Sequence, residues 1–168
     1  MLNQVREKQR EKISVIKIER MLYSEGYGVN NPQIDTLKIA QEVFNLKCVD
    51  CNYLIPLKVP SILDTKHKRI FLNPELSEQR KKIEVAKLIT KSFYSSDGRI
   101  TNKVVSALLL PPYIYSQLKK RQISKKEILN IIGFAGNKFL EEEIEKYDTH
   151  HSIIDKLKSI LQIKLYNK

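Results

Sequence analysis

The sequence of 168 residues has no tryptophan, only two cysteines, and only five glycines and six prolines. The low glycine and proline content excludes collagen-like and low-complexity organisation, and a single compact domain is expected at this length. No apolar run approaches the roughly 20 residues that a membrane-spanning helix needs, so no membrane association is expected. The first residues, Met1–Lys8, are polar and lack the apolar segment of a signal peptide. These features predict a cytoplasmic protein.

The two cysteines, Cys48 and Cys51, form a single Cys-x-x-Cys pair. A zinc ribbon requires two such pairs, and a redox-active pair is expected to open a helix that follows a strand. Cys48 instead falls in a predicted strand, where alternate side chains point to opposite faces. We therefore expect two reduced structural thiols, and no part of the sequence predicts a bound cofactor.

The charge is strongly positive, at +11 from 30 Lys and Arg against 19 Asp and Glu. Such a balance favours acidic partners, which include nucleic acid, an anionic surface or an acidic protein face. A lysine-rich solvated surface is the alternative. Most of the cations are lysines spread along predicted helices, whereas arginine is the side chain better suited to reading bases.

Apolar residues at helical spacing predict a long first helix. Turn and capping residues predict where the other helices begin and end. Asp35 is expected to cap the second helix, Ser77 the helix over 78–93, and Ser124 a helix that opens with a capping box. In the helix over 78–93, an apolar stripe of Ile83, Ala86, Ile89 and Phe93 should be buried. The predicted helices are 3–25, 36–44, 78–93, 100–110, 113–120, 125–132, 137–147 and 152–166.

The middle of the chain has a different residue pattern, in which short β-branched and aromatic segments alternate with turn residues. These segments predict three strands, at Leu46–Val49, Tyr53–Leu57 and Arg69–Asn73. The whole order predicts an α+β fold with a small three-stranded antiparallel or mixed sheet and a helical C-terminal tail.

Four segments, in this order, resemble the ImmA/IrrE family of zinc metallopeptidases. Pro32–Ala40 is similar to the family's Pro-x-x-Asp-x-x-x-Ile-Ala segment, and Arg69–Pro74 to the strand before the metal-binding helix. Arg80–Ser92 resembles that helix, and Thr101–Pro111 resembles the family's Ala-Asn-x-Phe-Ala-x-x-Leu-Leu-Met-Pro helix. The resemblance covers about residues 10–120. It implies a peptidase-like helical core in a domain at 1–118, with 119–168 as a helical extension packed on it or forming a small subdomain.

The sequence departs from the family pattern at the positions that bind zinc and catalyse hydrolysis. Where the family has His-Glu-x-x-His, this chain has Lys87 and Lys91 at the ligand positions and Leu88 at the general-base position. An ammonium has no lone pair to give a metal, and leucine cannot accept a proton. The family's third, acidic ligand would fall at 98–100, where no carboxylate stands. The sequence therefore predicts a pseudoenzyme with no metal and no catalytic residue.

Elsewhere the sequence offers only weak candidates for a metal-binding or catalytic site. His67 is isolated, and the adjacent His150 and His151 would point about 100° apart on a helix. With Asp148 and Asp155 they would make at most a weak surface metal site. No nucleophile elbow, P-loop or dinucleotide fingerprint occurs. An active peptidase with an unrecognised site remains the least favoured alternative.

The resemblance implies a function in regulation, because family members act on repressors of the helix-turn-helix type in phages and mobile elements. A scaffold without the metal would act by protein binding, as an anti-repressor, decoy or adaptor. The predicted binding groove is basic and suited to an acidic peptide. It consists of Glu84, Lys87, Lys91 and Asn102.

The alternative function is nucleic-acid binding through a basic patch that precedes and opens a capped helix. Residues 124–147 could form a degenerate helix-turn-helix, but its second helix carries Glu141–Glu143, whose carboxylates would face phosphates unfavourably. Protein binding is therefore preferred. The basic patch consists of Lys119, Lys120, Arg121, Lys125 and Lys126.

Overall fold

A computed structural model describes residues 2–94 and 102–148. They form helices around a small sheet, so the α+β class is confirmed. Within the described helices none is both long and apolar enough to cross a membrane. In chain order the elements are α1 (Leu2–Ser24), α2 (Thr36–Glu42), β1 (Lys47–Asp50), α3 (Leu54–Leu57), β2 (Ser61–Asp64), β3 (Arg69–Leu72), α4 (Glu78–Ile89) with a π-helical turn (Thr90–Tyr94), α5 (Asn102–Leu109), α6 (Pro112–Lys120), α7 (Lys125–Ile131) and α8 (138–148).

The sheet has three strands in the order β1-β3-β2, with β3 in the centre. β1 is parallel to β3 and β2 is antiparallel to it, so the sheet is mixed. Ile70 of β3 lies opposite Cys48 on one side and Leu63 on the other. Ile70 and Leu72 are buried because their side chains share the face of β3 that meets the core.

The predicted second strand, Tyr53–Leu57, is wrong. Leu54–Leu57 is a short helix, and the second strand lies further on, at Ser61–Asp64. Pro56 explains the error, because proline has no N–H for a strand ladder but fits the first turn of a helix, where the N–H would be unpaired anyway. Lys58 ends the helix in the left-handed conformation, with φ of 53°.

Helix α4 begins as predicted, with the hydroxyl of Ser77 accepting a hydrogen bond from the N–H of Arg80 at 3.3 Å. Ile83, Ala86 and Ile89 are buried, as their spacing predicts. The burial predicted for Phe93 is wrong, since this residue is 51% exposed. The helix changes to π geometry at Thr90, and the wider turn rotates Phe93 out of the apolar stripe.

One hydrophobic cluster joins the N-terminal helix, the sheet, α4 to α6 and the segment around α7 and α8. Tyr115 and Phe134 are among its largest fully buried side chains. Residues on both sides of position 118/119 thus contribute to the same cluster. The division at this position stays a prediction, and the helix predicted over 152–166 lies outside the described residues.

Candidate functional site

The centre of the predicted groove is a buried carboxylate on α4. Glu84 is only 5% exposed and lies one helical turn from a cation on either side. Its Oε1 atom is 3.0 Å from Nζ of Lys87 and 3.2 Å from Nε of Arg80. Its Oε2 atom accepts a hydrogen bond of 3.4 Å from the hydroxyl of Ser61 at the start of β2. The carboxylate therefore has partners for both oxygens and links α4 to the sheet.

The structure separates the predicted groove residues into two groups. Glu84 and Lys87 are in direct contact, and Lys87 is half-buried. Lys91 is exposed in the π-helical turn, and Asn102 is exposed at the start of α5. Leu88 is half-buried and packs against the hydrophobic core. The structure therefore brings Glu84 and Lys87 together. The groove itself, with Lys91 and Asn102 as members, stays a prediction.

The residues present do not fit the zinc site that the family resemblance implies. At the first ligand position the ammonium of Lys87 donates to Glu84, and an ammonium has no lone pair for a metal. Across 2–94 and 102–148, no three His, Cys, Asp or Glu side chains lie close enough together to hold a metal ion. The third ligand position, at 98–100, lies outside the described residues, as do His150 and His151. No hydrolytic step can be derived through a metal here.

Two further contacts fix the position of α4. Lys81, although only 8% exposed, places its ammonium 2.9 and 3.1 Å from the two carboxylate oxygens of Asp50 at the end of β1. The buried hydroxyl of Thr36 in α2 donates to the carbonyl of Lys82 at 2.9 Å. Because charged and polar groups are costly to bury without partners, these bonds define where α4 lies against the sheet and α2.

A pocket of about 330 Å³ lies between α4 and the start of α8. Three of its lining side chains are cationic, namely Arg80, Lys87 and Lys138. No carboxylate of the described residues lines it. The sequence did not predict this pocket, since only Lys87 of the three cations was a candidate. Ser77 and Asn137, which also line it, are the N-cap residues of the two helices that start there.

The predicted basic patch is partly neutralised by α8. Nζ of Lys119 lies 3.5 Å from Asp148 and 5.9 Å from the centre of the Tyr115 ring, and Nζ of Lys125 lies 2.6 Å from Glu145. The other three members are exposed. They are Lys120, Arg121 and Lys126.

The predicted helix-turn-helix corresponds to α7 and α8, joined by residues 132–137. The capping box that opens α7 is present, with Ser124 and Glu127 exchanging hydrogen bonds. In α8, Glu143 is only 2% exposed and lies 2.5 Å from Nζ of Lys146. Part of α8 is therefore turned into the protein and cannot contact a base.

Both cysteines are free thiols, as predicted, and both are half-buried. Burial raises the pKa of Cys48 to about 11, and the charge of Asp35 adds to this. A thiol is reactive as the thiolate, so a raised pKa makes Cys48 inert near neutral pH. This is the behaviour of a structural cysteine.

Alkaline pH is expected to destabilise the protein through Tyr147, whose hydroxyl pairs with that of Ser106 at 3.0 Å. Burial raises the pKa of Tyr147 to about 12 from 10.0. Between these values the unfolded chain ionises while the folded protein stays neutral, so the unfolded state binds fewer protons and stability falls. The contribution of Tyr147 should be roughly 1.4 kcal/mol per pH unit, in addition to that of Tyr115, whose pKa is also raised by burial. Urea unfolding at pH 9 to 12 measures it, and Tyr147→Phe should reduce the slope; an unchanged slope would contradict this assignment.

Comparison with known proteins adds one likeness in fold. No protein-family model matches the chain, and no curated protein matches it. Among solved structures, a Mycobacterium tuberculosis transcriptional regulator superposes with a TM-score of 0.56 at 13% sequence identity. The match covers 77% of this chain and 45% of that one, so the chain spans less than half of the regulator. At this identity the likeness concerns the fold alone.

Proposed function

We propose that this chain is a regulatory protein-binding module built on a peptidase-like scaffold, and that it does not hydrolyse peptides. Its partner would be a transcriptional regulator, in the first instance a repressor of the helix-turn-helix type. The partner would present an acidic segment to the groove around Glu84 and Lys87, with Lys91 and Asn102 at its border. A phage or mobile-element context follows from the resemblance to the ImmA/IrrE family.

The observation that carries this proposal is the ion pair between Lys87 and Glu84. At the position where the resemblance implies a zinc ligand, the side chain is a cation already held at 3.0 Å by a buried carboxylate. A divalent cation would be repelled by this ammonium, whereas an acidic segment would be attracted to the excess positive charge of Arg80 and Lys87 over Glu84. The scaffold thus supports binding better than hydrolysis.

The likeness to a transcriptional regulator also supports a role in transcription regulation. That protein is more than twice as long as the matched part, so its fold likeness concerns one portion of it.

The test combines binding and cleavage in one experiment. The chain is mixed with purified helix-turn-helix repressors from its own host, with and without a strong chelator, and analysed by size-exclusion chromatography and intact-mass spectrometry. The proposal predicts a complex of two intact proteins that the chelator does not change. Absence of a complex with every repressor, or cleavage that the chelator stops, would contradict it.

A matched pair of variants locates the binding surface. Lys91→Glu reverses an exposed charge at the border of the groove, and Lys66→Glu makes the same change in the turn between β2 and β3. Lys91→Glu should weaken the complex about fivefold or more, since close charge pairs across an interface contribute measurably. Lys66→Glu should leave the affinity unchanged. Equal effects of the two would show that only the net charge matters.

Nucleic-acid binding is the second candidate, favoured by the exposed cations Lys120, Arg121 and Lys126. It would be non-specific, and its affinity should fall steeply with salt. Changing these three residues to glutamine should reduce the slope of log K against log salt by about three if each contacts a phosphate. The matched control changes Lys12, Lys17 and Arg20 of α1, which are also exposed. A salt-insensitive or absent gel shift would eliminate this function.

A further inference from the structure

The pocket between α4 and α8 has a composition that favours an anion. Arg80, Lys87 and Lys138 line it, and no carboxylate of the described residues does. Glu84 contacts Arg80 and Lys87 and offsets one of the three charges, so two remain in excess. Lys138 is exposed and, within the described residues, has no acidic partner at ion-pair distance.

The cations keep donors available for a ligand. Arg80 approaches Glu84 through Nε, and a guanidinium has five N–H donors in all, so its terminal nitrogens are not used by this contact. Lys87 donates one of its three ammonium hydrogens to Glu84, so two remain for a ligand. Arg, in particular, can bind two oxygens of a phosphate or carboxylate at once.

Backbone groups at two helix N-termini add to the positive potential that the cationic side chains create in the pocket. The pocket contains the N-cap residues of two helices, Ser77 of α4 and Asn137 of α8, whose side chains accept from the N–H groups of Arg80 and Leu140. The remaining first-turn N–H groups have no partner within their helices, and the helix dipoles favour negative charge there. The helix ends reinforce a site that the cationic side chains already define.

The volume of the pocket and its apolar lining indicate which class of anion it could bind. A volume of about 330 Å³ is space for roughly ten water molecules, more than one phosphate group fills. Phe139, which is half-buried, lines the same pocket and offers apolar surface beside the cations. We propose that this pocket binds a small phosphate monoester, with the phosphate on Arg80, Lys87 and Lys138 and the esterified group against Phe139. This site shares Arg80 and Lys87 with the groove proposed above, but its ligand and its test need no protein partner.

The test is an NMR titration of the full chain with phenyl phosphate at constant ionic strength, with sodium chloride as the compensating salt. The compensation matters because any salt screens a protein of charge +11. Saturable shifts are expected at backbone amides of 77–80 and 136–139. Inorganic phosphate should shift the same amides with weaker affinity, since it lacks the apolar group. Shifts spread over the whole chain, or equal affinity for the two ligands, would overturn the proposal.

Variants of Lys138 test whether the cations of the pocket contribute to phosphate binding. Lys138→Glu and Lys138→Gln alter an exposed side chain, so the fold should persist, and the spectrum reports this directly. The dissociation constant for phenyl phosphate should rise about tenfold in Lys138→Gln, as for loss of a charge-assisted hydrogen bond, and more in Lys138→Glu. Lys120→Gln, which removes the same charge elsewhere on the surface, is the matched control. Unchanged affinity in both Lys138 variants would overturn the site.

Discussion

Replacing Phe134 by alanine should lower the free energy of unfolding by about 3–5 kcal/mol, the usual cost of removing a buried phenyl ring from a core. Phe134 is fully buried between α7 and α8, and its N–H donates to the carbonyl of Leu129 at 2.8 Å. The loss is expected to be large because α7 and α8 are short and depend on packing rather than on helix propensity. Urea unfolding followed by circular dichroism measures it.

Phe93→Ala is the matched control, because it makes the same substitution at a ring that the sequence pattern predicted to be buried. Phe93 is 51% exposed, and its ring lies 4.5 Å, between centroids, from that of Phe44. Its loss should cost about 1 kcal/mol, the value of an aromatic pair at a partly exposed position. Similar losses in the two variants would mean that the apolar stripe of α4 continues through Phe93 without the π-helical turn.

Removing the buried carboxylate of Glu84, at the centre of the proposed groove, should have the second largest effect. Glu84→Ala leaves Arg80 and Lys87 without their partner and Ser61 without an acceptor. A fully buried pair broken in this way costs about 3–5 kcal/mol. Here the side chains of Arg80 and Lys87 are 53% and 34% exposed and can turn to solvent, so about 1–3 kcal/mol is expected.

The control is Glu75→Ala, which removes an exposed carboxylate just before α4 and should change stability by less than about 0.5 kcal/mol. A double-mutant cycle with Lys87→Ala separates the ion pair from the other contacts of Glu84. A coupling energy near zero would show that the 3.0 Å contact between Lys87 and Glu84 contributes nothing to folding.

The sequence was most informative where the signal is local. Asp35 caps α2, Ser77 caps α4 and the Ser124–Glu127 box opens α7, all as predicted. Each cap depends on a side chain reaching an N–H two or three residues away, so neighbouring residues contain all the information. The buried positions Ile83, Ala86 and Ile89 follow from helical spacing in the same way.

The errors arose where tertiary context decides. Leu54–Leu57 has the composition of a strand, yet Pro56 favours a first helical turn. The position of Phe93 depends on the change to π geometry at Thr90, where the hydroxyl bonds back to the carbonyls of Ala86 and Lys87. A threonine in a helix does not by itself predict such a change, because most threonines bond back without altering the helix.

The site could be predicted only in part for the same reason. The contact of Glu84 with Lys87 follows from their spacing of three residues on one helix. The pocket joins residues 77–87 to residues 136–139, which about fifty positions separate in the sequence. No local pattern shows that these two segments meet, and so Arg80 and Lys138 could not be selected as site residues from the sequence.

The zinc content of the protein is the most direct test of the central claim that the scaffold binds without metal-dependent hydrolysis. The full chain is incubated with excess Zn²⁺, dialysed to remove weakly held ions, and measured by inductively coupled plasma mass spectrometry. The Lys87–Glu84 ion pair predicts zinc far below stoichiometric, with no hydrolysis of repressor protein in the same sample. One zinc ion retained per chain, together with chelator-sensitive cleavage, would contradict the account.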